Sequence, residues 1–237
     1  IDANTPESIA DEVERLRGSM VEMVVETNDD LMARYLEGEG ISKSELTAVL
    51  KKGVFSGQIV PVLAGSTATG EGVTELLDAV VTLLPSPAEA APTRANIAGE
   101  EVNLDAHADG PLATLVFKTT ADPYVGTLSY LRVFSGTLKS DSQVWNSQKG
   151  QSERIGQLFT LRGKNQEQAN LLVAGDIGGV AKLASTSTGD SLTQRDKDVK
   201  IDPIRFPNPV YVSAIYPKSK ADFDKMSNVL FRLVEED

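Results

Sequence analysis

The chain has 237 residues with 23 basic and 34 acidic side chains, a net charge of −11, and 41% hydrophobic residues, enough for ordinary buried cores. At about 150 residues per domain this length suits one or two domains plus a partial one. Cys is absent and His107 is the single histidine, which excludes disulfides, thiolate metal sites and multi-histidine metal sites, and no apolar run approaches the ~18 residues of a membrane span. The acidity is uneven: residues 1–110 hold 7 basic and 20 acidic groups, residues 111–170 hold 7 and 4, and residues 171–237 hold 9 and 10. The whole-chain charge speaks against nucleic-acid partners, but only for the first half, because the middle segment is locally basic. The start at Ile1, without an initiator Met or signal-like segment, reads as a piece of a longer protein.

Residues 5–27 read as a helix with Thr5 as N-cap, Pro6 in the first turn and an apolar stripe of Ile9, Val13, Leu16, Met20 and Val24. A second helix, Asn28 to Glu37, buries Leu31, Met32, Tyr35 and Leu36 before Gly38 breaks it. A third opens on a Ser42–Glu45 capping box and stops at Gly53. From Gln58 the run Ile59 to Leu63 suits a buried strand, although Pro61 removes a ladder donor. Ala64 to Thr67 turns the chain, and from Gly72 a helix carries Val73, Leu76, Leu77, Val80 and Leu84 on one face until Pro85. This is a strand–turn–helix unit of the α/β kind.

Pro85 to Pro92 reads as a linker, and the polar stretch to Gly110 as irregular, with His107 a solvated loop residue. Beyond Pro111 the pattern is β. Strands are expected over Leu112–Thr120, Tyr124–Phe134, Val144–Asn146, Glu153–Ile155, Leu171–Val173 and Val180–Leu183. Turns fall at Ser135-Gly136, Gln148 to Gln151 and Thr188 to Asp190, giving six or seven short strands of a small closed barrel. A final strand, Val210 to Ile215, and a helix from Lys220 with Met226, Val229, Leu230 and Leu233 in a stripe read as the start of a further domain.

Several of these stretches, in this order, resemble elongation factor G and its relatives among the translational GTPases. Ile59 to Ser66 resembles the strand entering the fifth guanine-nucleotide motif, and Val73 to Pro87 the closing helix of the GTPase domain. Phe117 to Leu138 resembles the opening of the second-domain barrel, and Ala174 to Ile177 and Thr188 to Asp190 its later turns. Tyr211 to Asp237, including Pro217 to Asp222, resembles the beginning of the third domain. The resemblance implies a multi-domain α/β plus all-β chain. Residues 1–57 would be the helical end of the GTPase-domain insertion, 58–87 the last strand and helix of the GTPase domain, 88–110 a linker, 111–204 the β-barrel, and 205–237 the truncated start of an α+β third domain.

The resemblance further implies a cytoplasmic protein that binds GTP or GDP with Mg²⁺ and promotes movement of tRNA and mRNA on the ribosome. The second domain would meet small-subunit rRNA, and tRNA and mRNA would be engaged indirectly. It assigns Ser66 and Thr67 to the loop whose backbone N–H groups meet the guanine oxygen, with Thr67 standing where the family usually has Ala. Read by itself, Gly65 to Gly72 is simply a turn into a helix. The sequence contains no Gly-x-x-x-x-Gly-Lys-Ser/Thr pattern and no Asn-Lys-x-Asp. The fragment alone is therefore expected to be a monomer without GTPase activity, cofactor or catalytic residue.

The barrel cations Lys118, Arg132, Lys139, Lys149, Arg154, Arg162 and Lys164 are candidates for phosphate contacts or simply a solvated surface. Asp122, Asp176 and Asp190 sit beside turn formers and read as backbone caps. Two other readings stay open. One is a ribosomal protection, release-type or divergent paralogous GTPase; the other is a non-enzymatic barrel that binds RNA or protein.

Overall fold

The computed structural model describes residues 5–122 and 126–236, and the chain divides into two compact units, residues 1–86 and 87–237. The expected helix at the start opens differently from its sequence signals. A 3₁₀ turn over Glu7–Ile9 follows Pro6, and α1 (Ala10–Val25) begins behind it without a side-chain cap, so Thr5 does not cap it. Asn28 caps α2 (Asp29–Leu36), its Oδ1 accepting from the Leu31 N–H at 2.9 Å. The capping box of α3 (Lys43–Phe55) is formed: Ser42 Oγ accepts from the Glu45 N–H, and Glu45 Oε2 accepts from the Ser42 N–H at 2.9 Å. Helix α3 runs two residues past Gly53. Gly53 is needed for packing rather than termination, because a Cβ there would come within 2.6 Å of Ile59 Cδ1.

Helix α4 (Val73–Leu83) starts behind Gly72, whose φ is +76°, and ends where Leu84 turns extended before Pro85. The buried residues of this unit include Val24, Val25, Leu31, Gly53 and Leu83. The predicted apolar stripes are otherwise largely open: Leu16, Met20, Leu36, Leu76, Leu77 and Val80 are exposed. The expected strand over Ile59–Leu63 is not formed. Val60 and Val62 stand 78% and 92% exposed, because no strand among the described residues of this unit can pair with them, and Pro61 cannot donate.

The second unit is almost all β. Residues 93–104, read as irregular from their polarity, instead form a hairpin of β1 (Thr93–Ile97) and β2 (Glu100–Leu104). Ala98 and Gly99 turn it, with φ of +54° and +94°, the two positive angles of a primed hairpin turn. Strand β13 (Val199–Ile201) completes a three-stranded antiparallel sheet in the order β13-β1-β2.

The main sheet has eight strands. In chain order they are β3 (Ala113–Asp122), β4 (Gly126–Ser135), β6 (Gln143–Asn146), β7 (Gln151–Arg154), β8 (Leu158–Arg162), β9 (Asn165–Ala169), β11 (Ile177–Ala181) and β12 (Ser191–Thr193). Their spatial order is β7-β6-β12-β3-β4-β11-β8-β9, and β5 (Thr137–Lys139) pairs with β10 (Leu171–Val173) beside them. All pairings are antiparallel. The strands wrap one core that includes Val116, Leu131, Val133, Leu138, Ile155, Leu158, Leu172, Val180 and Leu192. The expected barrel is thus present, although the end strands β7 and β9 are not joined by a ladder. More strands form than the sequence pattern suggested, because β8 and β9 carry polar residues at exposed positions and β12 is only three residues long, with Ser191 and Thr193 buried beside Leu192. Tyr124 and Val125, placed by pattern in a strand, and Pro123 lie outside the described residues.

The first half of β3 is buried on both faces. Thr114 and Val116 point to one side, while Ala113 and Leu115 join Ala95, Leu104, Val199 and Ile201 in a second core under the small sheet. Gly136 makes the β4–β5 turn possible: its φ is +76°, and a Cβ would lie 2.7 Å from Leu112 Cα and 2.9 Å from the Gly110 carbonyl oxygen. The expected strand Val210–Ile215 is not formed either; Val210, Tyr211 and Val212 are exposed, with no partner strand beside them among the described residues. Helix α5 (Lys220–Glu236) follows, and Glu236 Oε1 accepts from the Ala121 N–H of β3 at 3.2 Å.

Candidate functional site

The loop carrying Ser66 and Thr67 is shaped by two glycines. A Cβ at Gly65 would lie 2.9 Å from the Glu71 carbonyl oxygen, and one at Gly72 2.8 Å from Gly65 Cα, so only glycine lets the two ends of the loop cross. The Ser66 N–H donates to the Glu71 carbonyl at 2.9 Å, the Gly70 N–H to the Ser66 carbonyl at 2.8 Å, and the Thr69 N–H to Ser66 Oγ at 3.3 Å. Ser66 is half-buried and Thr67 exposed. The Ser66 amide is thus spent inside the loop. Among the described residues, the amides of Thr67 and Ala68 donate to no protein acceptor and remain available to a ligand oxygen. The Thr67 hydroxyl does not enter the loop's hydrogen bonding, so the branched residue is accommodated without rearranging it.

A polar network inside the barrel was not singled out by motif. Glu153 on β7 is 3% exposed and pairs with Val144 across the hairpin, which turns its side chain inward. Its Oε1 accepts from the Ala184 N–H at 3.0 Å; its Oε2 accepts from the Ser185 N–H at 2.9 Å, Ser185 Oγ at 2.8 Å and Thr186 Oγ1 at 2.8 Å. Burial alone would raise this carboxyl's pKa, but the four donors outweigh it and hold the group below its ordinary value. Asn146 Nδ2 links Thr186 Oγ1 to Asp190 Oδ2 at 3.2 and 2.9 Å, and Lys149 lies 3.4 Å from Asp190. The signal available in the sequence was the alternation: Glu153 precedes Ile155 by two and so shares its inward face.

Of the three turn aspartates, Asp176 and Asp190 act as backbone caps. Asp176 Oδ2 accepts from the Val173 N–H and Asp190 Oδ2 from the Ser187 N–H, both at 2.8 Å, while Asp122 Oδ2 accepts from Gln166 Nε2 at 2.8 Å. Of the barrel cations, Arg162 pairs with Glu167 at 2.7 Å, Arg132 lies over the Phe134 ring at 5.0 Å, and Lys149 is engaged as above. Lys118, Lys139, Arg154 and Lys164 are exposed and make no ion pair among the described residues. His107 is an exposed loop residue whose carbonyl accepts from the Gly110 and Gly136 amides. Among the described residues no group of three or more His, Asp or Glu side chains could hold a metal, and no helix is long and apolar enough to cross a membrane.

Comparison with known proteins settles the family of this barrel. The family model for elongation factor G domain 2 matches residues 111–195. A crystal structure of a protein from Thermus thermophilus is similar over 100% of this chain, with a TM-score of 0.80 and 30% sequence identity. The chain carries, at residues 111–195, a second domain of the elongation factor G family. It spans 34% of the length of the Thermus protein. The matched segment begins just before β3 and ends just after β12, so the elongation factor G second domain takes in the eight-stranded sheet and its core.

Proposed function

We propose that this chain is part of an elongation factor G-like GTPase that promotes movement of tRNA and mRNA on the ribosome. In this reading its barrel is the domain that meets the small subunit. The observation that carries the reading is the match of residues 111–195 to the second domain of that family. Residues 58–87 act as the closing part of the GTPase domain and residues 205–237 as the start of the third. The exposed apolar faces of α4 and α5 are what elements made to pack inside larger domains would present.

In the intact factor GTP would donate the phosphoryl group, with Mg²⁺ offsetting the charge that develops. This chain's share is the Ser66–Thr67 loop, where the free amides of Thr67 and Ala68 would receive the guanine oxygen and Gly65 and Gly72 hold the loop tight. A barrel that meets RNA without stacking aromatics does so through phosphates and shape, and such binding weakens steeply with salt.

The test is co-sedimentation of the 237-residue chain with small ribosomal subunits across salt concentration. Binding at about 50 mM salt that falls about tenfold or more by about 200 mM is expected. Absence of binding at the lowest salt would refute the barrel's role as an independent ribosome contact.

A further inference from the structure

Behind the β7–β8 connection lies a cleft of about 370 Å³ lined by Glu153, Arg154, Gly156, Gln157, Lys182 and alanines. Arg154 and Lys182 are exposed, and neither makes an ion pair or hydrogen bond with its side chain among the described residues. Among the described residues Lys118, Lys139 and Lys164 are unpaired as well, but they do not line this cleft, so Arg154 and Lys182 are the unspent charges of a concave site. A concave wall of low dielectric concentrates their field on whatever enters.

Lys182 carries a second signal. Its φ is +57°, in the left-handed region that costs a non-glycine residue about 1 kcal/mol or more. Its N–H is tied to the Thr127 carbonyl at 2.8 Å, so the conformation is imposed by the end of β11. Glycine would fit that backbone without cost, yet the position holds a long cation.

The other walls suit an anion as well. The amides of Gly156 and Gln157 donate to no protein acceptor among the described residues. Glu153, the carboxylate of the cleft, has both oxygens occupied by its four donors from residues 184–186 and presents almost no surface.

We infer that this cleft binds a phosphate group, with Arg154 and Lys182 as its charge partners and the Gly156 and Gln157 amides as its neutral donors. An RNA backbone and free phosphate share this chemistry. Two charge-assisted contacts and two amides match the oxygens of one phosphate. The inference stands apart from the ribosomal reading.

The experiment titrates the ¹⁵N-labelled chain with inorganic phosphate and, separately, with a short RNA duplex. It follows the Gly156 and Gln157 amide signals and uses Lys182→Gly and Arg154→Gln as variants. Saturable shifts at both amides with either probe, weakened about tenfold or more in each variant, are expected. Lys182→Gly should unfold no earlier than the parent, which separates lost binding from lost structure. Shifts with RNA as well as phosphate would make the source a nucleic-acid backbone; shifts with phosphate alone would make it a free anion. No saturable shift with either probe, or equal affinity in the variants, would overturn the inference. If phosphate shifts persist while small subunits fail to bind, the ribosomal reading falls and this one stands.

Discussion

Glu153→Gln isolates what one buried carboxylate contributes to the barrel. The carboxylate accepts four hydrogen bonds, one on Oε1 and three on Oε2, from a segment that has no strand of its own. An amide of the same shape keeps one acceptor oxygen. If that oxygen takes the place of Oε2, the amide NH₂ meets the Ala184 N–H donor to donor. One buried donor then goes unmet, at about 1–3 kcal/mol, and the remaining bonds lose their charge assistance. A total loss of roughly 2–4 kcal/mol follows by the same arithmetic. The two hydroxyls can turn to other acceptors; the two backbone amides cannot.

The assay is urea unfolding followed by the fluorescence of Trp145, the single tryptophan, which sits on β6 beside the hairpin strand that carries Glu153. The midpoint should fall with the slope unchanged. Acid supplies an independent check of sign. A carboxyl whose folded pKa lies below its unfolded value contributes stability above the unfolded value, and this is lost as pH falls through the folded one. The parent should therefore lose stability on acidification below about pH 4.5, with the unfolded chain taking up the proton. Glu153→Gln should lose less over the same range. A change under about 0.5 kcal/mol, the size typical of exposed sites, would refute the view that these four bonds hold residues 184–186.

Gly136→Ala should destabilise the barrel well beyond Gly150→Ala. Both have positive φ, but the first would press a Cβ against Leu112 and Gly110 while the second meets open space; equal urea midpoints would refute this. Glu45 should titrate at about 2, held down first by its hydrogen bond from Arg34 and then by Ser42. Arg34→Ala should move it up toward the ordinary value when followed by carbon-detected NMR. The chain should release no phosphate from GTP under conditions where an intact elongation factor G does, since its sequence has neither the phosphate loop nor the base-reading Asn-Lys-x-Asp. A turnover that persists through purification would contradict that.

What the sequence made legible was local. The Ser42–Glu45 capping box, the Asn28 start of α2, the Ser135-Gly136 turn and the β6–β7 hairpin each depend on residues close together in the chain, and each forms as its chemistry dictates. The hairpin of β1 and β2 was hidden because Asn96, Glu101 and Asn103 make it look like a polar loop. Its inner positions, Ala95, Val102 and Leu104, become meaningful only once Val199 and Ile201 of β13, about a hundred residues away, extend their face and Ala113 and Leu115 of β3 pack against it. Glu153 was hidden for a related reason: its donors come from residues 184–186, and no spacing rule joins the two.

The two strands that failed to form teach the opposite lesson. Ile59 to Leu63 and Val210 to Ile215 have the β-branched, apolar composition of buried strands, and only Pro61, which lacks an N–H, opposes that state from within. A strand, unlike a helix, satisfies its backbone only through a neighbour, so composition can prepare it but cannot complete it. Helices α4 and α5 close their own hydrogen bonds and therefore form even with their apolar faces exposed. The barrel differs from both, since each of its strands finds a partner within the same hundred residues and its core closes on itself. That is why the part of this chain whose fold is complete coincides with the segment that carries the family match, and why the Ser66–Thr67 loop, seated between an unpaired strand segment and an uncovered helix, keeps its shape through its two glycines and its own amides alone.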